Sequence, residues 1–152
     1  MSYWKWEPSF SVGIAVIDDQ HKRIIAYINE LGTISIYHDK EKVRTVLFAL
    51  MDYTVSHLAF EERLMQEAGY PKLEAHKQIH LSFIERIHFF TERYENGEDI
   101  SKQLMTELQM WLINHIQNDD TDYKEVVQAM LHKKEGQMND GWLTTLIDKF
   151  FK

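Results

Sequence analysis

Residues 57–80 read HLAFEERLMQEAGYPKLEAHKQIH. His57 and Glu61 stand four apart, Gly69-Tyr70-Pro71 interrupts, and His76 and His80 again stand four apart. Four residues make one turn of an α-helix, so each pair occupies one face with its Cβ atoms about 6 Å apart. Glycine just past the last turn and proline beyond it end a helix in the expected order. Two helices joined by so short a turn run antiparallel, which brings the two pairs together. A helical bundle builds metal sites in this way, from side chains that all project inward.

The stretch lies inside longer amphipathic patterns. A helix over Lys40–Ala68 has the stripe Val43, Val46, Leu47, Leu50, Met51, Thr54, Leu58, Leu64 and Met65, which His57 and Glu61 interrupt in phase. The next helix, over about residues 72–94, sets Ile79, Phe83, Ile84, Ile87 and Phe90 beside His76 and His80, and Asn96-Gly97 breaks it. A further helix over about residues 99–118 carries Leu104, Leu108, Trp111, Leu112 and His115 on its inner face. Upstream, Asp18 is a candidate N-cap for a helix with Ile17, Ile24, Ile25, Ile28 and Leu31 at helical spacing, and His21 falls on that apolar face. Residues 1–17, with Trp4, Trp6, Pro8, Phe10 and Gly13, are too irregular for a helix and too aromatic for a free tail. The expected fold is all-α: an antiparallel up-down-up-down four-helix bundle with an extended N-terminal arm.

The totals narrow the chemistry. A chain of 152 residues with 44% hydrophobic content is long enough for one substantial core. Its net charge of −7 argues against nucleic acid or an anionic membrane as primary partner. Without cysteine, thiolate zinc sites, disulfides and iron–sulfur clusters are excluded, so any metal must take nitrogen and oxygen ligands. The N-terminus lacks the basic-then-apolar pattern of a signal peptide, and no apolar run approaches the length of a spanning helix, so a cytoplasmic protein is expected.

Taken singly, a histidine on an apolar face reads as a hydrogen-bonded core residue. Here all four helices carry one: His21, His57, His76 with His80, and His115. Each buried nitrogen left unsatisfied would cost about 1–3 kcal/mol, and a shared metal would satisfy them all. Five imidazoles, Glu61 and at least one carboxylate among Asp119, Asp120 and Asp122 are too many for four-coordinate zinc and match two octahedral ions with bridging carboxylates. If Glu61, Asp120 and a solvent-derived oxygen all bridge, the five histidines divide three and two, and one ion keeps an open position. Ringed by leucine, isoleucine and aromatic residues, an open position suits a small apolar diatomic such as O2. Residues one step or one turn from the ligands are the expected walls: Ile24, Leu58, Trp111, Leu112 and Ile116.

The composite of His21 in IDDQHK, His57-x3-Glu61, His76-x3-His80, and His115-x4-Asp120 in WLINHIQNDDTDY resembles the hemerythrins, in particular their bacterial single-domain type. The Trp-rich entry to VGIAVID belongs to the resemblance, which covers about residues 4–123. It implies a non-haem centre of two iron ions with a bridging oxo or hydroxo group, binding O2 reversibly for storage, delivery or scavenging. By position, His76, His80 and His115 would hold the six-coordinate iron, His21 and His57 the iron with the open position, and Glu61 and Asp120 would bridge. NO or small anions would compete at the open iron. The same family spacing selects Asp120 over its acidic neighbours, with Tyr123 three residues on in support.

Other features are weaker. Glu62 follows Glu61 but lies 100° further round the helix, which points to a solvated role. Glu85-x-x-His88 has a di-iron spacing that would need a second copy, and His38, His88 and His132 read as surface residues. Residues 124–152 form a second region, in which Trp142, Leu143, Leu146, Ile147, Phe150 and Phe151 share one helical face. A short helix docked on the bundle is expected, with a partner-binding helix as the rival and a membrane role disfavoured by the few flanking lysines. Two other functions compete with O2 carriage: an O2, NO or redox sensor signalling through this C-terminal segment, and a di-iron enzyme acting on peroxide or NO. The absence of an acid or base assigned to the pocket beyond the ligands argues for a non-enzymatic role.

Overall fold

The computed structural model describes residues 4–37, 39–137 and 141–151, without the side chains of 119–121 and 135–137. Its elements are α1 (Ala15–Ser35), α2 (Lys40–Ala68), α3 (Leu73–Glu95), α4 (Ser101–Asn114), a π-helical segment (His115–Asp120), α5 (Thr121–Gln137) and α6 (Gly141–Phe151). The first four alternate in direction and enclose the core, as expected. The last bundle helix is longer than its apolar pattern indicated, because the π segment carries it on into α5.

The ends of α2 follow from single residues. Asp39 accepts a hydrogen bond from the Lys42 N–H at 3.2 Å and so satisfies one of the free donors of the first turn. Gly69 adopts φ 69°; its N–H reaches the Gln66 carbonyl and the Tyr70 N–H reaches that of Met65, which closes the last turn. Helix α1 starts differently from the sequence expectation. It begins at Ala15, so Asp18 lies inside the first turn and is not the N-cap. Its carboxylate reaches back to accept from the Val12 N–H and the Ser11 hydroxyl, tying the arm to the helix.

The arm packs as expected, with one 3-10 turn at Pro8–Phe10. The Trp4 backbone and the Asn29 side chain exchange two hydrogen bonds of 2.9 and 2.8 Å, and Trp4, Phe10, Val12 and Ile14 are buried. From the far side, Gln128 of α5 donates to the Gly13 carbonyl.

Helix α2 is the central element, packed against α1, α3, α5 and α6. Leu47, Leu50, Leu58, Leu64 and Met65 face the bundle interior with no measurable exposure, and each such side chain contributes about 1.5–3 kcal/mol of apolar burial. Phe60 points away from that stripe yet is fully buried, because Phe150 and Phe151 of α6 cover it with ring centroids 6.1 and 5.8 Å away. The apolar C-terminal face is thus docked on the bundle. On α3 the buried line runs His76, His80, Phe83, Ile87 and Phe90. Ile79, expected beside the histidines, is 37% exposed, since it precedes His80 by 100° on the helix. Among the described residues no helix is long and apolar enough to cross a membrane.

Gly69 gives a direct test of the α2–α3 turn. A Cβ there would meet nothing within 4 Å, so only the left-handed backbone penalises a side chain. Gly69→Ala should lower unfolding stability by about 1–2 kcal/mol in urea denaturation; an unchanged midpoint would show that the turn does not depend on this conformation.

Candidate metal centre

The five histidines meet in the middle of the bundle. His21 comes from α1, His57 and Glu61 from α2, His76 and His80 from α3, and His115 from the start of the π segment. Glu61, His21, His57 and His80 have no measurable exposure, and His76 and His115 are at 4% and 1%. Among the described residues two groups form: His76, His80 and His115, and His21, His57 and Glu61. Within each, one potential ligand atom from every residue lies within 4.8 Å of the others. The rings cross steeply, with His76–His80 centroids 4.5 Å apart at 87° and His21–His57 centroids 4.7 Å apart at 70°.

Glu61 joins the groups. Its Oε1 is 3.0 Å from His57 Nε2, 3.5 Å from His115 Nε2 and 3.8 Å from His80 Nε2. Its Oε2 accepts a hydrogen bond from the hydroxyl of Tyr123, which is itself fully buried. Burial pushes this carboxyl up, but the charge of His57 and the hydrogen bonds and charge of His115 and His57 outweigh it and hold the group well below the usual carboxylate range. Glu61 is therefore an anion in the bundle interior, compensated by imidazoles and by the Tyr123 hydroxyl.

The donor set fits metal ions. His80 Nε2 and His115 Nε2 are 3.1 Å apart. Two metal–nitrogen bonds of about 2.1 Å meeting at a right angle place their nitrogens about 3.0 Å apart. His57 Nε2 and Glu61 Oε1, at 3.0 Å, match the same edge. Neutral nitrogen and hard oxygen donors without thiolate suit octahedral-preferring first-row ions.

The π segment explains a spacing that an α-helix cannot. His115 and Asp120 are five positions apart, and five α-helical steps would put them 140° apart. A π turn bonds residue i to i+5, and its wider winding brings position 120 closer to the azimuth of position 115. The side chains of Asp120 and Asp119 lie outside the described residues, as does His38. His88 and His132 are exposed, as is Glu85, and none of them joins a metal-capable group among the described residues.

Sequence reasoning missed the groups behind the ligands. His57 Nδ1 lies 2.7 Å from Gln20 Oε1, and His80 Nδ1 lies 2.9 Å from Glu62 Oε2. Glu62 is thus not simply solvated: the outer edge of the α3 imidazole extends over the flank of α2 and meets it. The signal for Gln20 and Tyr123 was their position beside ligands in otherwise apolar segments. Of the expected walls, Ile24, Leu58, Leu112 and Ile116 are buried at 2% exposure or less. Trp111 is part-buried and stacks between Phe83 and His115, with centroids 3.8 and 4.4 Å away. It therefore lies on the three-histidine side.

Residues 12–127 match the family model described as the Hemerythrin HHE cation binding domain. The chain belongs to the hemerythrin family. A bacteriohemerythrin of Stenotrophomonas maltophilia is 43% identical and one of Pseudomonas aeruginosa 40% identical, each over 99% of both chains. A bacteriohemerythrin of Methylococcus capsulatus is 29% identical over 85% of this chain and all of its own. The crystal structure of a wild-type hemerythrin superposes with a TM-score of 0.78 at 27% identity, covering 83% of this chain and 98% of that one. The similarity to the first two hemerythrin relatives extends past residue 123 into the C-terminal helices.

Tyr123→Phe removes the hydroxyl that holds Glu61 Oε2. In the metal-free protein this should cost about 1–3 kcal/mol of stability, the range for a buried acceptor left unmet. Denaturant titration of metal-free wild type and variant checks it, and equal stabilities would mean that water or another group replaces the phenol.

Proposed function

We propose that the centre holds two iron ions and binds O2 reversibly. The observation that carries this reading is the position of Glu61 Oε1, within 3.0–3.8 Å of histidine nitrogens from both groups. A carboxylate so placed is suited to bridge two ions. His76, His80 and His115 would hold one iron and His21 and His57 the other, with Glu61, Asp120 and an oxo or hydroxo group between them. Such a three-to-two division of the histidines would leave the second iron fewer protein ligands, and with them room for O2.

When bound, the iron pair supplies the two electrons that O2 binding draws on. The chain supplies the rest. Gln20 orients the imidazole of His57 through its Nδ1 hydrogen bond, and Tyr123 fixes the second oxygen of Glu61. Ile24, Leu58, Leu112 and Ile116 are aliphatic, exclude water and bring no proton donor of their own, which supports a carrier over a catalyst. Names of the relatives at 40% and 43% identity support the same reading. It is consistent with a cytoplasmic protein engaged in oxygen storage, delivery or scavenging.

The test is the ultraviolet–visible spectrum of anaerobically reduced, iron-loaded protein before and after air, with iron counted per chain. Two irons and a visible band that forms in air and fades on deoxygenation are expected. Two irons that pass directly to a ferric spectrum would overturn reversible binding, and fewer than two would overturn the ligand assignment. Leu112→Ala should open the aliphatic wall to water and quicken autoxidation; an oxygenated lifetime equal to wild type would remove Leu112 from the wall.

A further inference from the structure

His57 and His80 present the same ring edges to the same centre. In each, Nε2 faces the other ligand atoms, so with a metal bound at Nε2 the proton would reside on Nδ1 and be donated outward. The acceptors differ. Behind His57, in the two-histidine group, stands the neutral amide oxygen of the buried Gln20, at 2.7 Å. Behind His80, in the three-histidine group, stands a carboxylate oxygen of Glu62, at 2.9 Å. An anionic acceptor draws the Nδ1 proton towards itself, gives the ring imidazolate character and makes Nε2 a stronger donor to a metal. A neutral amide does so far less.

We infer that Glu62 is a positioning residue that sets the two metal positions electronically apart, favouring the oxidised state at the ion held by His76, His80 and His115. This rests on the di-iron reading above. The amide behind His57 leaves the ion with the open position less electron-rich. The Glu62 side chain is 25% exposed, at the edge of the core, and glutamine is isosteric with it, so its charge can be removed with little change in packing.

The direction of the effect follows. Oxidation adds positive charge at the metal, which a more basic ligand stabilises, so the carboxylate lowers the reduction potential. Glu62→Gln keeps the shape and an acceptor oxygen but replaces the anion by an amide like that behind His57. The experiment compares iron-loaded wild type, Glu62→Gln and Glu85→Gln, the last removing an exposed carboxylate from α3 that touches no ligand. Iron is counted first. If wild type fails to hold two irons, the di-iron reading itself fails.

With two irons bound, redox titration should show Glu62→Gln favouring the reduced state by about tenfold, equivalent to 59 mV for one electron. Glu85→Gln should move it by less than twofold. Proton NMR of the diferrous form provides a readout that a merely structural role would not move. One exchangeable, paramagnetically shifted imidazole N–H should change position in Glu62→Gln and hold in Glu85→Gln. Glu62→Asp, which keeps the charge but draws it back by one methylene, should fall between wild type and Glu62→Gln. Two irons in every variant with unchanged potential and an unmoved N–H signal would overturn the inference. So would equal shifts in Glu62→Gln and Glu85→Gln, because net charge alone would then account for them.

Discussion

A carboxylate with no exposure to solvent is the constraint around which this bundle is arranged. Moving an unpaired anion from water into a protein interior costs several kcal/mol even after relaxation, so Glu61 is tolerable only with compensating groups on every side. The chain supplies them from four elements: His57 on its own helix, His80 on α3, His115 at the π segment, and the Tyr123 hydroxyl at the start of α5. Each helix is thereby fixed in rotation and axial position relative to α2. The aliphatic core supplies most of the burial energy, and the directional polar set adds a constraint on register.

Placing those groups requires two local departures from regular structure. The Gly69 turn reverses the chain within a few residues, so that His76 and His80 return to the level of His57 and Glu61. The π segment then rewinds the last bundle helix between residues 115 and 120. Without it, a helix that points His115 at the centre would carry position 120 round to another face. The arm and α6 act from outside. The first clamps α1 through Asn29 and Asp18, and the second covers the outer face of α2 at Phe60. Both stiffen the helices whose side chains must hold a fixed geometry.

Much of this was legible in the sequence because each signal was local and periodic. Gly69, with Pro71 beyond it, marked the end of α2 by termination chemistry alone, and the in-phase histidines marked the inner faces. The apolar face of α6 could also be seen, but not the surface it covers, which depends on Phe60 lying outside the main stripe of α2. Asp18 resembled an N-cap because capping residues are recognised by type; the actual helix start depends on the arm, to which its carboxylate turns back. The spacing of five between His115 and Asp120 was visible, yet its meaning was not, since α-helical periodicity offers no reason for it. Glu62 and Gln20 were missed for a common cause. Their partners, His80 and His57, come from other helices, and no reading of one helix at a time brings them together.

The central claim is that one buried carboxylate bridges two metal positions formed by three and by two histidines. Anomalous diffraction at the iron edge from crystals of iron-loaded protein tests it most directly. The account predicts two iron peaks per chain, about 3.5–4 Å apart. One should lie within bonding distance of His76, His80 and His115, the other of His21 and His57, with an oxygen of Glu61 reaching each. A single peak, or two peaks with Glu61 bound to only one of them, would contradict it.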